Sequence, residues 1–243
     1  MIELKNVEKR FGAVHALRGV SFAAHDGAIT GVLGPNGAGK TTSLRIAAGL
    51  LPPDDGTATV DGTDTSADPL GVRRAIGALP HSHGLYARMT AREHVAYFGR
   101  LHGLASDVIS ARLDHLSEVL EMRDFLDRRT EGFSQGQKLK VAIARVLVHE
   151  PKNIILDEPT AGLDVKGTRA MRALVQRLKA DGRCVVFSSH VMQEVAALCD
   201  EVVVIAAGRV TAQATLEDLK AMTGKEQLED AFVAAVGTDE GLA

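Results

Sequence analysis

Apolar residues along this chain follow two periods. Up to Ala24 they alternate, with Ile2, Leu4 and Val7 first and Val20 and Phe22 after them, as in strands with one exposed face. Residues 28–33 are mostly apolar and read as a buried strand, and 43–48 read as the helix after it. Pro52-Pro53-Asp54-Asp55-Gly56 is a turn cluster. Strands are expected over 57–60, closed by a tight turn at Asp61-Gly62, and over 74–79. From 90 to 150 the period changes to 3.6, with Val95, Phe98 and Leu101 and then Leu113, Leu116 and Leu120, so this stretch is helical. Residues 153–157, 183–188 and 201–206 return to buried strand, with helices over 166–180 and 191–198. In the tail, 216–236, Leu228, Phe232 and Val236 recur every four residues and predict an amphipathic helix that caps the core.

Strand–helix–strand alternation implies a mostly parallel, covered sheet. The expected fold is α/β in one domain over 1–243. A core and a small antiparallel β subdomain occupy about 1–80 and 151–215, an inserted α-helical subdomain about 81–150, and a helical tail about 216–243. A length of 243 residues is enough to bury a large core. The net charge of −3 gives no global attraction to nucleic acid or anionic membrane, and the absence of Trp weakens any base-stacking role. No apolar stretch approaches the ~20 residues of a membrane span, and no signal segment opens the chain, so a cytosolic protein is expected. Cys184 and Cys199 lack CxxC or metal spacing and read as reduced core residues.

Chemistry enters at Gly34-Pro35-Asn36-Gly37-Ala38-Gly39-Lys40-Thr41-Thr42, which fits G-x-x-x-x-G-K-[ST], the Walker A pattern of P-loop nucleoside triphosphatases. It lies between a predicted strand and a predicted helix, the context the motif requires. Glycines let the backbone N–H groups wrap phosphates, and the helix N-terminus favours the anion. Lys40 suits the β- and γ-phosphates, and the Thr41 hydroxyl suits the Mg²⁺ shell. Ile154-Ile155-Leu156-Asp157-Glu158 is an apolar strand ending in two acids. Asp157 is the expected Mg²⁺-side carboxylate, and Glu158, one residue on, the expected general base for water. Ser134 is an expected helix N-cap within Phe133-Ser134-Gln135-Gly136-Gln137, ahead of a helix over 138–149.

Taken in order, these motifs resemble those of ABC-transporter nucleotide-binding subunits over nearly the whole chain. Walker A is joined by the Walker B acids and by Ser134-Gln135-Gly136-Gln137 as the signature motif, with Gln135 where a glycine is commonest. Pro159-Thr160-Ala161-Gly162-Leu163-Asp164 matches the D-loop, and Ser188-Ser189-His190 the switch histidine. The resemblance implies that Ser134, Gly136 and Gln137 of one subunit complete the ATP site of another across a dimer. It also implies that His190 touches the γ-phosphate or attacking water. Phe11 resembles the aromatic residue that stacks on adenine; its other reading is a core residue of the β subdomain. His81 stands where the family's Q-loop glutamine is expected, and it would meet the metal there with a group that titrates near neutral pH. The remaining histidines carry no expected role.

The implied protein is an ATPase that uses ATP and Mg²⁺ and drives a separately encoded integral membrane permease from the inner face of the membrane. It would pair with an identical or related cassette and bind no nucleic acid. Docking is expected beside residues 81–100, where Gly84-Leu85-Tyr86-Ala87-Arg88-Met89 offers aromatic and apolar groups. Three segments resemble sodium-extruding and related ABC-2-type exporters: Gly84-Leu85-Tyr86 with Thr90-Ala91-Arg92-Glu93, the signature form, and Leu228-Glu229-Asp230-Ala231-Phe232-Val233. An importer subunit and a non-transport assembly ATPase stay open as alternatives.

Overall fold

A computed structural model describes residues 1–80 and 84–237. In chain order the strands are β1 (Ile2–Phe11), β2 (Val14–Ala24), β3 (Ile29–Leu33), β4 (Asp55–Val60), β5 (Thr63–Asp64), β6 (Ile76–Leu79), β7 (Asn153–Asp157), β8 (Cys184–Ser188), β9 (Glu201–Ala206) and β10 (Arg209–Thr215). The helices are α1 (Lys40–Ala47), α2 (Pro69–Ala75), α3 (Ala91–Leu101), α4 (Ser106–Val119), α5 (Gln135–Leu147), α6 (Val165–Ala180), α7 (Met192–Leu198), α8 (Leu216–Thr223) and α9 (Leu228–Val236).

Two sheets organise the chain. One is antiparallel, in the order β2-β1-β4-β5; the other runs β10-β9-β3-β8-β7-β6 and is parallel except for β10. Strand alternation sorts side chains to opposite faces of the second sheet. Ile154, Leu156, Val185 and Phe187 join the helical core with α3 to α6, whereas Ile155, Cys184 and Val186 join the core shared with β1, β2 and α1. Burial on both faces explains why these strands read as unbroken apolar runs. Leu33, Val202 and Val204 form a third cluster with Leu219, Leu228 and Phe232, so the tail covers the sheet as expected. Cys184 and Cys199 are free, and burial pushes their thiols up to about 11 and about 12, which keeps them protonated.

Several elements differ from the sequence reading. The strand expected from Arg74 starts at Ile76, because 69–75 are helical: the Asp68 carboxylate caps α2 by accepting the Gly71 N–H at 2.8 Å, and Pro69 stands at its first turn. β4 begins at Asp55, inside the predicted turn cluster. The tail is two helices, because α8 ends at Gly224 in left-handed conformation (φ 67°). β10 was not expected at all. Ala207 and Gly208 both take positive φ (48° and 76°) and fold β10 back on β9, without the Asn-Gly or Asp-Gly pair that would announce such a hairpin.

The helical layer is pinned to the sheet at Gly77 in β6. A Cβ there would lie 2.7 Å from Pro151 Cγ and 2.8 Å from both Val146 Cγ1 and the Val146 carbonyl oxygen, on and just beyond α5. Gly77→Ala is therefore expected to destabilise by about 1–3 kcal/mol through overpacking. Thermal melting should register a drop of about 2–4 °C per kcal/mol at this size; an unchanged Tm would show that α5 yields freely.

Candidate active site

The Walker A loop leaves the end of β3 and is held from two sides. A Cβ on Gly34 would stand 2.1 Å from the Ile205 carbonyl oxygen of β9, so only glycine fits. Gly39 takes φ 110°, and a Cβ there would press on Leu17 at 2.6 Å. The Gly208 N–H donates to the Ala38 carbonyl at 3.0 Å, and the Arg18 N–H donates to the Gly208 carbonyl at 2.8 Å. The unforeseen β9–β10 hairpin thus braces the loop against β2. Among the described residues no side chain caps α1, so the N–H groups of its first turn are left as donors for the loop's concavity. Lys40, the first residue of α1, is buried and donates from Nζ to the Gly34 carbonyl at 2.7 Å and the Pro35 carbonyl at 3.1 Å. Burial pushes its ammonium below the usual lysine range, against the opposing pull of Glu158 and Asp157.

Parallel register brings the acids alongside. Asp157 pairs with Ser188 across β7 and β8. Both Thr41 Oγ1, at 3.3 Å, and Ser188 Oγ, at 2.7 Å, donate to Asp157 Oδ1. Ser188 Oγ also accepts the Glu158 N–H at 3.0 Å. Glu158 takes positive φ (55°), an uncommon conformation for a residue with a side chain, and such strain gathers at functional sites. Its Oε2 lies 2.6 Å from His190 Nδ1. A cavity of about 370 Å³, of ligand-pocket size, is lined by Asn36 to Thr42 together with Ala16, Glu158 and His190. Such a site offers backbone donors and a cation to a polyphosphate, with a carboxylate–imidazole pair at its mouth.

The ABC transporter family profile matches residues 17–161. The chain is 46% identical over 238 residues to the ABC transporter ATP-binding protein NatA of Bacillus subtilis, covering 96% of this chain and 97% of that protein. This chain belongs to the ABC transporter ATP-binding subunits. A daunorubicin resistance ATP-binding protein, DrrA3 of Streptomyces coeruleorubidus, is 36% identical over 94% of this chain and 72% of its own length. Among solved structures, an ATP-binding subunit of an ABC transporter superposes with TM-score 0.90 at 29% identity, covering 97% of this chain and 99% of that one. A dimeric bacterial ABC transporter cassette superposes with TM-score 0.82 at 28% identity over 88% of this chain and 98% of its own. The same cassette is known in a post-hydrolysis state with ADP and phosphate. The subunit is an ATPase.

Within this ABC subunit most of the expected site residues fall into three groups. Asn36, Gly37, Ala38, Gly39, Lys40, Thr41, Thr42, Glu158 and His190 line one cavity, with Asp157 joined through Thr41. Gly34 serves from behind, through the carbonyl that holds Lys40. Ser134, Gly136 and Gln137 lie apart from that cavity, at the start of α5. There Ser134 Oγ accepts the Gln137 N–H at 3.2 Å, and Gln137 Oε1 accepts the Ser134 N–H at 3.1 Å, a full capping box. That helix opens at Gln135, three residues before the sequence reading placed it. Phe11 is 49% exposed beside the Lys9 ammonium, so it is not a core residue of the β sheet. His81 lies outside the described residues.

Sequence reasoning gave no role to Ser188, Gly208 or Ala16. Ser188 and Gly208 act through hydrogen bonds to residues far along the chain, and Ala16 lines the cavity beside the loop, its carbonyl close to Gly39. The Glu158–His190 pair sets a direct test. Glu158→Gln is expected to retain ATP binding while hydrolysis slows by on the order of 10²–10⁴-fold, the range of a lost general base. Steady-state phosphate release beside equilibrium nucleotide binding measures both, and wild-type turnover in the variant would remove Glu158 from the chemistry.

Proposed function

We propose that this subunit works in a head-to-tail pair of cassettes, hydrolysing ATP to drive a separately encoded membrane permease in the export direction. The observation that carries the pairing is the separation of the two phosphate-facing elements. The Walker A cavity is open, and the capped N-terminus of α5 that would face a γ-phosphate belongs to another part of the same chain. A second subunit turned head to tail supplies what each lacks. Closure would bring the Ser134 hydroxyl and the first N–H groups of α5 to the phosphate held by the partner's loop.

In this reading Lys40 and the loop N–H groups hold the β- and γ-phosphates. Glu158 accepts a proton from the attacking water, and His190, hydrogen-bonded to Glu158, faces the γ-phosphate. The Thr41 hydroxyl and the Asp157 carboxylate, 3.3 Å apart, are hard oxygen donors of the kind a Mg²⁺ ion takes. Bound there, Mg²⁺ would neutralise phosphate charge. Phe11, exposed at the end of β1, would lie against the adenine.

Among the described residues no helix is long and apolar enough to cross a membrane. The permease is proposed to be another chain, as the match over 97% of the length of an ABC transporter ATP-binding protein supports, with this one at the cytoplasmic face. Its docking groove is proposed between the 84–87 segment and residues 130–138, about 480 Å³ beside the 51% exposed Tyr86. Tyr86 rests on His94 and Tyr97 at ring separations of 5.4 and 6.1 Å, so it presents a braced aromatic edge to a partner. Export is supported by the names of similar proteins, which confer daunorubicin resistance or linearmycin resistance or export Nod factor. Sodium as the solute rests on the resemblance to sodium-extruding exporters.

Two experiments test this reading. Ser134→Arg and Lys40→Ala chains are each expected to be inactive alone and to regain part of the ATPase activity when mixed, because one site of the mixed dimer is intact. Mixed dimers that form and stay inactive would argue against an ATP site shared in this way. The tagged subunit should also copurify with an integral membrane protein, and vesicles carrying both should move sodium on ATP addition; a soluble partner alone would favour the assembly-ATPase reading.

A further inference from the structure

Glu194, on α7, is only 4% exposed. Acids are rarely buried without a partner, and among the described residues two neutral hydroxyls meet this one. Thr160 Oγ1 donates a short hydrogen bond to Glu194 Oε2, and Ser189 Oγ donates to the same oxygen at 3.2 Å. Thr160 stands two residues after Glu158, and Ser189 directly before His190. One carboxylate oxygen therefore ties the segment that leaves Glu158 to the segment that enters His190. Ser189 Oγ in turn accepts the Val191 N–H at 3.0 Å, so the tie encloses His190 from its other side.

On the strand side, Ser188 makes the corresponding link by donating to Asp157 and accepting from the Glu158 N–H. The Glu158···His190 contact is thus bracketed by two cross-ties. It needs them, because the His190 side chain is 63% exposed and gains little position from packing. α7 is itself anchored through Val195 and Leu198, both buried, which gives Glu194 a fixed base.

We propose that Glu194 is a positioning residue of the hydrolysis site, holding the loops of Glu158 and His190 at the spacing their contact requires. The proposal rests on those two residues forming the hydrolytic pair, which the Glu158→Gln experiment tests by itself. If Glu158→Gln is inactive and Glu194→Ala is fully active, the pair stands and the role of Glu194 falls.

The test uses the full chain. Glu194→Ala is expected to lower kcat by on the order of 10²-fold, the effect of an ångström-scale misplacement, with KM for ATP and the equilibrium affinity for ATP each within about twofold of wild type. Glu194→Gln keeps the volume and one acceptor oxygen and should recover most of the loss, which also covers the case in which the alanine variant does not fold. Thr160→Val should lower kcat in the wild-type background and add nothing to Glu194→Ala. The proposal is overturned by wild-type kcat in Glu194→Ala, by ATP affinity falling in step with kcat, by no recovery in a folded Glu194→Gln, or by a Thr160→Val loss that multiplies with the alanine loss.

Discussion

Parallel pairing of β3, β8 and β7 is the constraint on which the site depends. The register sets Val32 beside Ser188 and Ser188 beside Asp157, so three strand ends finish at one level. The loop to α1, the two acids and the switch histidine all spring from that edge. Open α/β sheets bind ligands outside the carboxyl ends of their strands. Here the rule has a local cause: β7 and β8 end on Asp157 and Ser188, β3 runs into the phosphate loop, and the Ser188 hydroxyl joins two of the ends directly.

The same edge explains how opposite demands are reconciled. A phosphate site needs bare backbone, and bare backbone has little to hold it in shape. The loop solves this by leaning on neighbours from behind, on Ile205 at Gly34 and on Leu17 at Gly39, where a side chain would collide. Lys40 donates to loop carbonyls, and Glu158 and Asp157 act on its charge without those hydrogen bonds, in a partly dry pocket.

What was legible in the sequence was what short spacing decides. Gly34 to Thr42, the Asp157-Glu158 pair at a strand end, and Ser134 as a helix N-cap all depend on residues within a few positions and appear where expected, although the helix after Ser134 opens at Gln135 rather than at 138. The mostly parallel sheet was legible because its strands are buried on both faces. α2 was missed although Asp68-Pro69 is a helix-start signal, because the apolar run after it pulled the strand too far forward. β10 was missed because Ala207 holds positive φ through its setting rather than its residue type. Ser188, Gly208 and Glu194 show no pattern of their own: each acts on residues more than 25 positions away or through a carboxylate buried by tertiary packing.

The central place of β3 has a consequence for how the chain is made. Its partners are β8 and β9, and Cys184, where β8 begins, lies 151 residues after Leu33. At a synthesis rate of about 5–20 residues per second, that interval lasts on the order of 10–30 s. The antiparallel strands β1, β2 and β4 can pair early, since all three precede residue 61. The strand that bears the phosphate loop cannot, and its apolar residues wait uncovered until most of the chain has emerged. A nascent chain halted before β8 would therefore carry the complete Walker A sequence and none of the pocket, with a sticky strand exposed to chaperones or to other copies of itself.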